Sequence, residues 1–219
     1  MISIYQLKPT FQKTLLPLVK FLAQRGVTAN AVTIAAMLLA IATGLALTAF
    51  PTSQVLYGLM PLVLGLRMAL NAIDGLLARG WNQESDLGAL LNELGDCVAD
   101  VALYLPFACL SGIAPIWVVL VVVLAVLSEF MGVLGQSLGR CRSYAGPMGK
   151  SDRALVFSLV SLVLAMGIPP GIWVDGVMVG ILLLLVWTLI NRGTSAIAPT
   201  EQQISHLETA VSQGQEVHL

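Results

Sequence analysis

Six carboxylates and three asparagines fall within residues 71–100, NAIDGLLARGWNQESDLGALLNELGDCVAD, in a chain that is otherwise strongly apolar. Asn71 and Asp74 are three residues apart, and Asn92, Asp96 and Asp100 recur every four. On helices each set shares one face. Clustered oxygen donors without His or Cys suit a hard divalent cation such as Mg²⁺, Mn²⁺ or Ca²⁺. Gly75 and Ala78 leave room for a bulky ligand to approach the backbone, and Arg79 can bind a phosphate. Metal, small residues and arginine together point to a phosphorylated ligand. The plain alternative is a polar seam that packs helices. A whole set of such acids disfavours it, because each ionisable side chain inside a bilayer costs several kcal/mol and marks function by default. Glu84 and Asp86 fall in the loop between the two runs, where a solvated charge is unremarkable.

The elements that must position these residues are membrane helices. The chain is 57% hydrophobic and 11% charged, against roughly a quarter charged in soluble domains. Apolar runs of spanning length are expected at 31–50, 55–79, 88–112, 115–139, 154–168 and 173–190. The fold expected is therefore all-α and membrane-integral, with six transmembrane helices. Residues 1–29 hold a segment with Phe11, Leu15, Leu18 and Leu22 at helical spacing, which reads as an amphipathic helix lying in the interface. A helix simply packed on the bundle is the alternative, and Pro17 predicts a kink or break within it. Residues 30–193 form the transmembrane catalytic domain. Residues 194–219 read as a polar, disordered cytoplasmic tail, in which His206 and His218 are bystanders. No cleaved signal is expected, since Lys8, Lys13 and Lys20 precede no early apolar core. Cys97, Cys109 and Cys141 have neither disulfide nor metal-ligand spacing and read as packing residues. The net charge of −1 gives no footprint for nucleic acid.

Basic residues orient the bundle. Lys8, Lys13, Lys20, Arg25, Arg79, Arg140, Arg142, Lys150, Arg153 and Arg192 all fall on one side of six spans, which places both termini in the cytoplasm. The polar faces of spans two and three lie roughly 6 to 18 Å below that surface. A short loop makes the two spans antiparallel neighbours, so their acids can meet in one cavity open to the cytoplasm.

These residues resemble the CDP-alcohol phosphotransferase (CDP-alcohol phosphatidyltransferase) family. That family's pattern is D-x-x-D-G-x-x-A-R, eight residues, G-x-x-x-D-x-x-x-D. Asn71, Asp74, Gly75, Ala78, Arg79, Gly88, Asn92 and Asp96 take its positions without a gap. The stretch 28–33, TANAVT, is similar to the family's Pro-Asn-x-hydrophobic-Thr segment, with Ala29 for proline. The resemblance implies transfer of a phosphatidyl group from a CDP-linked donor, usually CDP-diacylglycerol, to an alcohol with release of CMP, in phospholipid synthesis. It implies Mg²⁺ or Mn²⁺ held by Asp74 and Asp96, with Asp96 also or instead the general base. It implies donor contacts from Gly75, Ala78, Arg79, Asn30 and Thr33, and a homodimer. Two positions depart from the pattern. Asn71 and Asn92 replace aspartates and offer carbonyl oxygens without charge, which weakens metal binding. Asp100, and less directly Glu93, could compensate. Alternatives are a catalytically silent CDP-lipid-binding homologue and a transferase of CDP-choline or CDP-ethanolamine onto a lipid acceptor. A small cation transporter fits less well, since it needs no nucleotide site.

The segment 139–157, GRCRSYAGPMGKSDRALVF, packs Arg140, Arg142, Lys150 and Arg153 among glycines. That suits an anion and predicts an acceptor phosphate pocket, although the topology alone would also place basic residues there. Arg67, Asp100 and Glu129 are expected at similar depth, so Arg67 should pair with Asp100 or Glu129 and close the cavity floor. Gly135 with Gly139, and Gly176 with Gly180, are small-residue pairs suited to close helix contacts.

Overall fold

A computed structural model describes residues 7–198 and, from Phe11 onward, their side chains. Seven α-helices follow one another: α1 Leu7–Gln24, α2 Ala29–Ala49, α3 Gln54–Gly80, α4 Asp86–Tyr104, α5 Pro115–Ser137, α6 Lys150–Ala165 and α7 Ile172–Ile197. Among the described residues there is no strand. Residues 194–197 of the expected tail are helical, because α7 continues to Ile197. The rest of that tail, with His206 and His218, lies outside the described residues, as does the segment before Leu7.

Local chemistry sets the boundaries. Thr28, Ser53 and Ser85 cap α2, α3 and α4, each side chain accepting from the backbone N–H three residues on, which satisfies a donor that no helical carbonyl reaches. Pro115 opens α5, where its missing N–H costs nothing. Pro106 turns the end of the third apolar run into a short 3-10 segment, Leu105–Cys109. Pro169 and Pro170 separate α6 from α7.

Four helices, α2, α3, α5 and α7, are long and apolar enough to cross a membrane. The other two expected spans fall short for physical reasons. α4 carries the acids, and α6 has 16 residues, about 24 Å of helix against a hydrocarbon core near 30 Å. α1 runs unbroken through Pro17. It packs Leu15, Val19 and Leu22 against Ile73 and Leu77 of α3, whereas Phe11 and Leu18 of the expected stripe are exposed.

α2 packs on both α3 and α4, α3 on α6, and α4 and α7 on α5. The crossing of α2 and α4 is close: a Cβ on Gly44 would stand 2.0 Å from the carbonyl oxygen of Ala102. Below the polar residues the core closes around Tyr57, Tyr104, Phe107 and Phe157, with Tyr104 stacked on Phe157 at 4.0 Å. The α5–α6 connection folds back onto the bundle. Ser143 N–H donates to Gly132 O, and Met148 N–H to Thr188 Oγ1 at 3.0 Å. Gly146 (φ +116) lies against Thr188 where any Cβ would collide. The cysteines are free, and only Cys97 is even partly packed; Cys109 and Cys141 are exposed. Gly139 lies beyond α5 with φ +73 and forms no helix face with Gly135. Gly176 and Gly180 do share α7 and face open space.

Candidate active site

Asp74 on α3 and Asp96 on α4 face the same space, each held by a neighbour that sets its orientation. Asp74 is 5% exposed, and its Oδ2 accepts from Thr33 Oγ1 of α2 at 2.8 Å. Thr33, expected at the donor, thus positions an acid. Asp96 takes its contacts on one oxygen. Its Oδ1 accepts from Asn71 Nδ2 at 2.7 Å and pairs with Arg67 Nη2 at 3.4 Å and with the ammonium of Lys150. Asn71 therefore presents its amide N–H₂, rather than its carbonyl, to the acid one helix away.

The small residues admit their neighbours. A Cβ on Gly88 would lie 2.8 Å from Asn30 Oδ1, and one on Gly75 would lie 3.1 Å from Arg79 Nη2. The N-terminus of α2 is tied to the loop after α3 by Ala29 N–H donating to Gln83 Oε1 at 2.7 Å. Asn30, Gly75, Ala78, Arg79, Gly88 and Asn92 thus occupy neighbouring turns of α2, α3 and α4 at the ends where Asp74 lies.

Beneath this surface is a sealed charge network. Arg67 Nη1 pairs with Asp100 Oδ1 at 2.8 Å, as its depth in the sequence predicts. Arg153 then bridges Asp100 Oδ2 at 2.8 Å and Glu129 Oε1 at 2.9 Å, and donates to Met148 O. This corrects two expectations. Asp100 is 3% exposed with both oxygens in ion pairs, so it is not free to replace a missing metal ligand. Arg153 is 0% exposed, so it does not line an acceptor pocket. Glu93 is likewise engaged, by Arg142, which also reaches Glu129 Oε2 at 3.2 Å. Arg140 is partly buried in the same loop.

Arg192 is the participant the sequence hid. It reads as a basic residue after the last span, yet it is 2% exposed, pairs with Glu129 Oε1 at 3.4 Å and donates to Ser128 O and Ala145 O. The signal available was Glu129 itself, an acid within the apolar α5 that must be met by a cation from elsewhere in the chain.

The oxygen donors that α3 and α4 carry at the motif positions are the carboxylates of Asp74 and Asp96 and the amide carbonyls of Asn71 and Asn92. Among the described residues no group of three His, Cys, Asp or Glu side chains gathers at metal-binding spacing. Mg²⁺ characteristically uses one or two carboxylates and completes its shell with substrate phosphates and water. The donor set fits one such ion and is too poor in charge for two.

Apolar helices that converge buried acids, amides and cations at one end define an integral membrane protein with a site for a charged ligand. Comparison with known proteins specifies the class. Residues 26–191 match the family described as CDP-alcohol phosphatidyltransferase. Inner membrane protein YnbA of Escherichia coli K12 is 46% identical over 196 residues, which is 89% of this chain and 96% of YnbA. Two crystal structures of Mycobacterium tuberculosis phosphatidylinositol phosphate synthase share the fold. One has CDP-DAG bound, with TM-score 0.63 and 19% identity over 84% of this chain and 96% of that one. The other is in complex with manganese and citrate, with TM-score 0.64 and 18% identity over 85% and 96%. The chain belongs to the CDP-alcohol phosphatidyltransferase family.

Proposed function

We propose that the protein transfers a phosphatidyl group from CDP-diacylglycerol, or a related CDP-linked donor, to the hydroxyl of a polar alcohol in phospholipid synthesis. The observation that carries this reading is the meeting of Asp74 and Asp96 from antiparallel helices beside Gly75, Arg79, Gly88 and Asn30. Membership of the family supports it, as does the CDP-DAG in a structure of the same fold.

In this reading the donor's acyl chains stay in lipid, and its head group enters the cavity from the side of α2 and α3. Arg79, whose guanidinium lies over Gly75, receives the pyrophosphate. Asp96 takes the proton of the acceptor hydroxyl through the oxygen turned away from Lys150. The acceptor oxygen attacks the phosphorus that bears diacylglycerol. The bond from that phosphorus to the bridging oxygen breaks, and CMP departs with the electron pair. Asp74, Asp96, Asn71 and Asn92 would hold a Mg²⁺ or Mn²⁺ ion, which neutralises the pyrophosphate and the leaving CMP when bound. The ion pairs of Arg67, Asp100, Arg153 and Glu129 keep the cavity floor rigid and dry.

The reading includes six transmembrane helices, with α4 and α6 spanning as part of the bundle. The termini and cavity are cytoplasmic, and the exposed Phe11, Leu18 and Phe21 of α1 lie in the interface. It also includes a homodimer, for which the open Gly176–Gly180 face of α7 is one candidate surface.

The test is CMP release by purified protein given CDP-diacylglycerol, Mg²⁺ or Mn²⁺ and a panel of alcohols. Asp96→Asn should lower turnover by at least about 100-fold while CDP-lipid binding persists. Full activity in that variant refutes the assignment. CDP-lipid binding without CMP release under any condition would establish the silent reading. The ammonium of Lys150 on Asp96 is the observation that favours it.

A further inference from the structure

The acceptor alcohol can be narrowed by charge, in an inference that rests on the transferase reading above. An alcohol whose hydroxyl meets Asp96 has α2 and α3, the donor side, along one flank. Along the other lie α5, α6 and their connection, with Glu93, Glu129, Arg142, Lys150, Arg153 and Arg192. The sequence makes this flank look strongly basic, but the fold answers Arg142, Lys150, Arg153 and Arg192 with internal carboxylates. Arg142 spans Glu93 and Glu129. Arg153 spans Asp100 and Glu129. Arg192 takes Glu129 and two backbone carbonyls. Arg67 takes Asp100 and Asp96, and Lys150 takes Asp96. Five cations thus meet four carboxylates in this network, and Asp74 is the fifth acid of the cavity.

Access decides the matter alongside balance. The side chains of Arg153, Arg192 and Arg142 are 0%, 3% and 15% exposed. A phosphate monoester carries a charge of about −1.5 to −2 at neutral pH. Removing it from water is favourable only where unspent, reachable cations replace its hydration. A metal ion on Asp96 would release Lys150 alone and leave the arginines where they are. A neutral hydroxylated acceptor asks only for hydrogen bonds, which the partly exposed Glu93 and Lys150 at the rim offer. We infer that the acceptor is an alcohol bearing no phosphate, of the neutral polyol class, and that Glu93 and Glu129 enforce this by occupying the arginines.

The test uses the intact protein in lipid nanodiscs with CDP-diacylglycerol and Mg²⁺ or Mn²⁺. CMP release is compared for matched acceptors, glycerol against glycerol 3-phosphate and inositol against inositol 1-phosphate. The expected kcat/KM favours the unphosphorylated member of a pair by about tenfold or more. Glu93→Gln removes one of the two carboxylates that hold Arg142 without touching the buried Arg153–Glu129 pair, and should move that ratio toward the phosphorylated member. Preference for a phosphorylated acceptor, or a ratio unmoved in E93Q, overturns the inference and leaves the transferase reading intact. If no acceptor yields CMP although CDP-diacylglycerol binds, the transferase reading fails separately. Phosphorus NMR titration of glycerol 3-phosphate, with CDP-diacylglycerol filling the donor side, then reads the flank directly. No saturable binding at millimolar concentration supports its neutrality. Saturable binding that Lys150→Ala abolishes overturns it.

Discussion

Replacing Arg153 with methionine is expected to destabilise the bundle rather than weaken acceptor binding. The guanidinium is fully buried and makes contacts of 2.8 and 3.2 Å to Asp100 Oδ2, 2.9 Å to Glu129 Oε1 and 3.3 Å to Met148 O. Removing one partner of a buried pair costs about 3 to 5 kcal/mol, because the opposing charge stays buried without compensation. Here Asp100 keeps Arg67, and Glu129 keeps Arg142 and Arg192. The loss should therefore fall at the lower end, about 3 kcal/mol. For a chain of this size that corresponds to a fall in midpoint of roughly 6 to 12 °C. The assay is thermal loss of monodisperse protein in detergent, supported by equilibrium unfolding. Combining it with Asp100→Asn should give a non-additive loss, with a coupling energy of about 0.5 to 3 kcal/mol, because the two side chains are in direct contact. A single variant within about 0.5 kcal/mol of the parent, with raised acceptor KM instead, would refute the reasoning and return Arg153 to the acceptor pocket.

Two further perturbations separate packing from chemistry. Gly44→Ala places a methyl against the backbone of Ala102, which cannot turn aside as a side chain can. It should force α2 from α4 and cost about 1 to 3 kcal/mol or more, read as a lowered unfolding midpoint. Restoring charge with Asn71→Asp and Asn92→Asp should lower the Mn²⁺ concentration needed for half-maximal binding by at least about tenfold. Direct titration of the ion, with or without turnover, checks this, and an unchanged affinity would remove both positions from the ion's ligand set.

Much of the site was legible because it depends on short-range periodicity. Three- and four-residue spacing alone puts Asn71 with Asp74, and Asn92 with Asp96, on single helix faces. The loop between α3 and α4 is short enough to make them antiparallel neighbours. Depth along the helices also foretold that Arg67 would pair with Asp100 or Glu129, since residues counted from the same membrane surface meet at the same level, and Asp100 is the partner it takes. The basic segment at 139–157 misled because composition records how many cations a loop carries, not which carboxylates fold in to meet them. Arg153 follows Lys150 by three residues, and that one helical turn carries it from the cavity rim into the sealed network.

The sequence by itself determined the class of protein: apolar length dictates membrane helices, and the spacing of acids, glycines and arginine carries the resemblance to the CDP-alcohol phosphatidyltransferase family, to which the chain belongs. Only the tertiary structure decided how charge is distributed among those residues. Asp96 on α4 draws Asn71 and Arg67 from α3 and Lys150 from α6, while Glu129 on α5 draws Arg142, Arg153 and Arg192 from a loop and two helices. Pairing of buried charges is set by distance in space and by the cost of leaving any of them unmatched. Neither quantity is written in the order of residues along the chain.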